Sequence, residues 1–236
     1  MESHKPDLVI NAAAYTAVDR AEEEPEAAFA VNASAVGTLA LAARNAGAHF
    51  VHISTDFVFD GVSSSAYPPG APRNPISVYG RSKAAGEDAI GPDATIVRTA
   101  WLYGAEGGNF VNTMLRVMSE RDEVRVVTDQ IGSPTWVQGL AAAVWKLGLC
   151  RIPGTWHHVD AGVASWYDFA CAIEEEASEL GLLSKRTRVV PITSAEYPTP
   201  AQRPRMSLLD CTGTRKRLCL PAIHWRVNLR AMLACK

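Results

Sequence analysis

No C-x-x-C pair occurs in this chain: its five cysteines, Cys150, Cys171, Cys211, Cys219 and Cys235, are odd in number and scattered. That argues against a disulfide framework and suits reduced thiols in a cytoplasm. Charge of one sign is also scarce. Lys and Arg number 23 against 25 Asp and Glu, a net charge of −2, so no general attraction to nucleic acid or to an anionic membrane is expected. No apolar run reads as long enough to span a bilayer, and the opening Met-Glu-Ser-His-Lys-Pro-Asp lacks the layout of a signal peptide. His157 and His158 are the only adjacent histidines. Neighbours in a strand point to opposite faces, so they do not easily clasp one ion, and no metal site is expected. Glycine is present, but no G-x-x-G-x-x-G phosphate loop follows a leading strand. The nearest cluster, Gly104-Ala-Glu-Gly-Gly108, comes late and reads as a flexible loop.

What is present is ordinary globular composition, 47% hydrophobic and 20% charged over 236 residues. Strands and helices alternate. Leu8–Ala14 reads as a parallel-type strand, and Ala-rich periodicity carries a helix from Pro25 to about Ala46, where Gly47 stops it. Glu22-Glu23-Glu24 sits where that helix's N-terminus favours negative charge. Phe50–Ile53 is a buried strand, residues 62–75 a loop, and a helix bearing Tyr79 and Lys83 runs to about Gly91. Further strands are expected at 94–99, 124–127, 155–159 and 188–192, and helices at 109–121, 135–149, 165–180 and 228–235. This alternation predicts a doubly wound α/β sheet.

The informative segment is Tyr79-Gly-Arg-Ser-Lys83. Positions four apart share a helix face, so a phenol and an ammonium would stand side by side. A nearby cation favours phenolate and lowers a tyrosine pKa from about 10. Such a phenol can exchange a proton with a substrate oxygen. The bland alternative is a surface helix with a snorkelling lysine. Upstream, Ser54-Thr55-Asp56 closes a strand at its C-terminal end, where ligands bind in open α/β sheets.

Six motifs then follow in order: Val9-Ile-Asn-Ala-Ala-Ala14, Ser54-Thr-Asp-Phe-Val-Phe59, Tyr79-Gly-Arg-Ser-Lys83, Arg98-Thr-Ala-Trp-Leu-Tyr103, Asp129-Gln-Ile-Gly-Ser-Pro-Thr135 and Tyr197-Pro-Thr-Pro-Ala-Gln-Arg-Pro204. From about Pro6 to near the C-terminus the chain resembles the dTDP-4-dehydrorhamnose reductases, a branch of the extended short-chain dehydrogenase/reductases. The resemblance implies a Rossmann-like parallel sheet that here lacks its leading strand and Gly-rich loop, an N-terminally truncated form. Residues 1–104 with 135–160 would form an incomplete dinucleotide-binding domain, and 105–134 with 161–236 a substrate-binding lobe.

It further implies hydride transfer from NADPH or NADH to the C4 carbonyl of a nucleotide-linked deoxysugar, with cofactor binding weakened by the missing loop. Tyr79 would donate the proton, Lys83 would lower its pKa and bind the nicotinamide ribose, and Thr55 would orient the carbonyl. Asn11, Ala12, Ala13 and Ala14 mark the cofactor-side strand end, where small side chains also simply pack. Thr16 and Asn32 are further cofactor-side candidates, Asn32 alternatively a brace for the active-site strand. Asp56, Phe57, Trp101 and Arg203 are candidate substrate contacts. The family commonly has Tyr where Phe57 stands, and Trp101 is equally readable as a core aromatic. Arg205 joins Arg203 as a possible diphosphate partner, while Arg215-Lys-Arg217 reads as a solvated helix face. Strand 8–14 would be an exposed edge inviting self-association. The alternative function is a non-catalytic binding protein, as in relatives that serve as regulatory subunits of methionine adenosyltransferase, or a fragment that folds and does little.

Overall fold

A computed structural model describes residues 4–236. The chain begins with β1 (Leu8–Asn11), α1 (Val18–Glu23), α2 (Pro25–Phe29), a π-helical turn (Ala30–Ser34) and α3 (Ala35–Asn45). Next come β2 (His49–Thr55), a 3-10 turn (Asp56–Val58), α4 (Val78–Asp88), β3 (Thr95–Thr99), β4 (Leu102–Tyr103), α5 (Phe110–Glu120) and β5 (Glu123–Val127). Then follow β6 (Ile131–Gly132), β7 (Thr135–Trp136), α6 (Val137–Leu149), β8 (Gly154–His157), β9 (Ala164–Ser165), α7 (Trp166–Glu179) and β10 (Arg188–Ile192). A 3-10 turn (Ser194–Glu196), α8 (Thr212–Leu218) and α9 (Trp225–Leu233) complete it.

The chain divides into two compact units. The first runs to Thr99 and adds Ala141–His158 and Thr199–Leu220; the second holds Ala100–Leu140, Val159–Pro198 and Pro221–Lys236. Residues 199–220, expected in the substrate lobe, thus return to the sheet-bearing unit, where Tyr67 bridges to Leu209. Residues 100–104, 135–140 and 159–160, expected in the dinucleotide-binding domain, fall in the second unit.

The first unit is built on a four-stranded parallel sheet in the order β1-β2-β3-β8. β2, His-Phe-Val-His-Ile-Ser-Thr, is buried at every position but Ile53, as befits a strand with neighbours on both sides. α3 lays Val36, Ala40 and Ala43 against Ala48 and Phe50, the helical i, i+4, i+7 stripe covering a sheet face.

Several expectations are corrected here. β1 ends at Asn11, so Ala12, Ala13 and Ala14 lie beyond the strand. The Glu run closes α1 instead of opening the long helix. That helix is interrupted at Ala30–Ser34 by a π turn, which carries the fully buried Asn32. The stretch Pro25–Asn45 also has the length and mean hydropathy, 1.4, of a membrane span. Alanine supplies much of that value, and the covered sheet face gives its apolar stripe a partner.

α4 is fixed at its start by the Ser77 hydroxyl, which accepts from Gly80 N at 3.1 Å. Glu22 of α1 accepts from Val78 N at 2.7 Å. Two glycines let α4 sit close. A Cβ on Gly80 would lie 2.3 Å from the Phe57 carbonyl oxygen, and one on Gly86 2.0 Å from that of Asn32.

The second unit gathers α5, α7 and α9 around Met114, Met118, Phe169, Ile173, Leu229 and Met232, with the parallel pair β5 and β10 alongside. Ser165 and Asp168 form a reciprocal capping box at the start of α7.

Candidate active site

Tyr79, Lys83 and Glu87 recur every four residues and form one stripe of α4. That stripe meets the C-terminal half of β2. The Tyr79 hydroxyl hydrogen-bonds with Thr55. Lys83 Nζ donates to the Ile53 carbonyl at 2.7 Å and lies 3.2 Å from His52 Nε2. Glu87 accepts from Ser54 Oγ at 2.5 Å. His52 and Ser54 are two apart in the strand and so share the face that looks at α4.

The electrostatics differ from expectation in one respect. Burial, and to a lesser degree the Asp56 charge, push the Tyr79 phenol up to about 12, with the Thr55 hydrogen bond acting the other way. Lys83 does not figure among the groups acting on it. The lysine's nitrogen is engaged by the strand carbonyl and His52, so the predicted lowering of the tyrosine pKa is not found. Burial lowers Lys83 itself to about 8, opposed by Glu87. Burial therefore favours the neutral phenol, which can act as a proton donor.

Thr55 links the phenol to Asp56: its Oγ1 donates to Asp56 Oδ1 at 3.0 Å and accepts from Phe57 N at 3.2 Å. Burial raises the Asp56 carboxyl to about 6, against a hydrogen bond from Ser207. Asp56 Oδ2 is buried and has no partner among the described residues. Such a half-satisfied carboxylate is costly and marks a candidate ligand contact. Phe57 meets the Tyr79 ring edge-on, 5.4 Å between centroids. Its ring thereby orients the phenol.

Asn11 is buried at the end of β1, opposite His52 in the register; its Nδ2 lies 3.1 Å from His52 Nδ1 and its Oδ1 accepts from Ala13 N at 3.2 Å. Ala12 and Ala13 are exposed, Ala14 half-buried and Thr16 exposed. Asn32 accepts from Tyr15 N at 2.8 Å and donates to Tyr15 O and to Ser82 Oγ, both at 3.0 Å. These bonds make it a brace between the β1–α1 connection and α4.

Arg203 is clasped by Asp19 through two bonds of 2.9 and 2.7 Å and by Thr199 Oγ1 at 2.6 Å. Its guanidinium is thus engaged within the protein by Asp19 and Thr199. Trp101 belongs to the second unit, stacked on Trp166 at 3.7 Å with φ +50. A bulky residue at positive φ is strained and marks a position held for a purpose.

Three residues of the cluster escaped the sequence reading. His52 lay inside an apolar run, although its two-residue spacing from Ser54 placed both on one face. Glu87 stood one turn beyond Lys83. Arg98 donates to Glu87 through Nε and Nη2 at 2.8 and 2.7 Å and was read only as part of a motif.

With this geometry in view, the whole chain, residues 1–236, matches the model of the RmlD substrate binding domain. The chain belongs to that family. It is 42% identical to the spore coat polysaccharide biosynthesis protein SpsK of Bacillus subtilis (strain 168), over 98% of this chain and 80% of that one. It is 38% identical to the dTDP-4-dehydrorhamnose reductase of Escherichia coli (strain K12), over 99% and 81%. Among solved structures it is similar to the dTDP-4-dehydrorhamnose reductase of Bacillus anthracis str. Ames in complex with NADP, with TM-score 0.93, 37% identity, and 100% and 83% of the two chains covered. The Rossmann-like parallel sheet is the fold shared with these relatives.

Proposed function

We propose that the protein is an NAD(P)H-dependent reductase that converts the C4 carbonyl of dTDP-4-dehydro-L-rhamnose, or a closely related keto sugar, to the alcohol. The observation that carries this reading is the neutral Tyr79 phenol hydrogen-bonded with Thr55 at the C-terminal end of β2, one helical turn from Lys83. Carbonyl reduction needs an acid at the oxygen, because an unprotonated alkoxide is costly. A phenol held up near 12 keeps its proton until such an alkoxide develops beside it.

The residues present fit a nicotinamide cofactor. Lys83 supplies a buried nitrogen at the strand end, and the exposed Ala12 and Ala13 leave the backbone after Asn11 open to a flat group. The bound cofactor would supply the hydride. Thr55 orients the carbonyl, Tyr79 gives its proton to the carbonyl oxygen, and Lys83 would hold the cofactor's ribose. Asp56 Oδ2 accepts from a substrate hydroxyl. Phe57 offers no hydroxyl and acts by packing the phenol. Trp101 is a candidate aromatic face for a sugar. The reductase names and the NADP complex among the relatives support this reading.

The five free cysteines support action in a cytoplasm. β1 is an edge of the sheet among the described residues, which supports self-association of copies along that strand. An earlier elution volume for wild type than for Ile10→Pro is expected, and equal volumes would contradict it. The reductase reading is tested by titrating NADPH and following fluorescence. Saturable binding is expected, and no binding at millimolar cofactor would leave only a non-catalytic role.

A further inference from the structure

The proposed reaction leaves His52 unused, the middle of a buried chain of side chains from Asn11 to Lys83. All three are buried, His52 completely. Burial, and then the neighbouring Lys83, push His52 down to about 3, so the imidazole is neutral and carries a single N–H. Which nitrogen holds that proton is settled by the partners. Asn11 Oδ1 accepts from Ala13 N, so the amide turns its Nδ2 toward His52 Nδ1. Nδ1 must then accept, and the ring proton sits on Nε2, facing Lys83 Nζ at 3.2 Å.

An ammonium has no lone pair to receive that proton, whereas a neutral amine has one. The arrangement therefore belongs to a Lys83 amine that donates to Ile53 O and accepts from His52. When Lys83 gains a proton, Nε2 must become the acceptor. The ring proton then resides on Nδ1, and Asn11 has to turn its amide to offer Oδ1. Ala13 N–H loses its acceptor. The net change is one proton gained, borne by lysine, with the ring still neutral.

We propose that His52 is a positioning residue that couples the protonation state of Lys83 to the backbone amide of Ala13, through the imidazole tautomer and the orientation of the Asn11 amide. The charged groups around α4 are few. Glu87, on the same helix, favours the ammonium and is itself paired with Arg98 and Arg73. Asp56 acts on Tyr79, and Glu22 caps the helix at Val78. None of them contacts His52. This inference deepens the proposed function, since Asn11–Ala14 is the candidate cofactor segment and a ligand bound there would bias the charge on Lys83. Its test needs no turnover, so it can fail while the reductase reading stands, and the reverse.

The test is a pH titration of ¹⁵N-labelled full-length protein by NMR, from about pH 6 to about pH 10, following the His52 ring nitrogens, the Lys83 side chain and the Ala13 amide. One shared midpoint is expected for all three, with the ring proton moving from Nδ1 to Nε2 as pH rises. In His52→Phe the Ala13 amide should fall silent while Lys83 still titrates. In Asn11→Leu, which serves if His52→Phe does not fold, lysine and ring should still titrate together without Ala13. A single His52 tautomer throughout the Lys83 titration, or a wild-type Ala13 amide indifferent to it, overturns the proposal.

Discussion

Lys83 Nζ donates to the Ile53 carbonyl at 2.7 Å, two residues before the threonine that meets the tyrosine of the same helix. The lysine thus ties α4 to the end of β2 while the phenol reaches past it. Positioning and proton donation are divided between two side chains one turn apart.

That division has a consequence for stability. The Lys83 pKa is lowered from 10.5 to about 8, so between those values the unfolded chain holds a proton that the native chain lacks. Stability should rise with pH through that window and be flat for this group below it. Lys83→Met should remove the slope in urea unfolding; an unchanged slope would assign it elsewhere.

Asp56 works in the opposite sense. Its carboxyl is raised from 3.8 to about 6, so the native state binds the extra proton in that interval and stability falls as pH rises through it. Asp56→Asn should be more stable than wild type at neutral pH, by about 3 kcal/mol. It should bind the keto sugar more weakly, seen as a raised KM. A destabilised Asp56→Asn would show that its hydrogen bonds with Thr55 and Ser207 outweigh the cost of the buried charge.

Glu87 and Arg98 form a buried, two-pronged ion pair behind Lys83. Glu87→Leu strands the guanidinium and should cost about 3–5 kcal/mol by denaturant unfolding. Arg98→Met with Glu87→Leu together should recover part of that loss, because neither charge is then left buried alone.

Gly86 tests how closely α4 must approach. A methyl group there would overlap the Asn32 carbonyl, and the backbone on both sides leaves little to yield. Gly86→Ala should lose about 1–3 kcal/mol of stability. It should also lower kcat, although the residue touches neither Thr55 nor Tyr79. A fully active Gly86→Ala would mean that the helix position tolerates displacement.

The sequence made the strand–helix alternation legible because periods of two and of about four are written in the apolar residues. His49–Thr55, Val78–Asp88 and Arg188–Ile192 fall close to where that pattern puts them. The ordered motifs pointed to Thr55, Tyr79 and Lys83, which the structure places at the end of β2 and on the facing stripe of α4. What did not show was direction: spacing places Tyr79 and Lys83 on one face, but a lysine nitrogen goes to the nearest strong acceptor, and the Ile53 carbonyl is that acceptor. The pairing of Arg203 with Asp19 was hidden for a related reason, since the two lie 184 residues apart and no local pattern announces it. The π turn at Asn32 was hidden inside an otherwise regular alanine-rich periodicity.

The most direct measurement is NADPH oxidation with dTDP-4-dehydro-L-rhamnose by wild type and by Tyr79→Phe. The variant keeps its ring against Phe57 and so its fold. Turnover by wild type and a loss of about 10²–10⁴-fold in kcat for Tyr79→Phe, with NADPH affinity retained, are expected. Equal rates for the two proteins would contradict a phenol that supplies the proton.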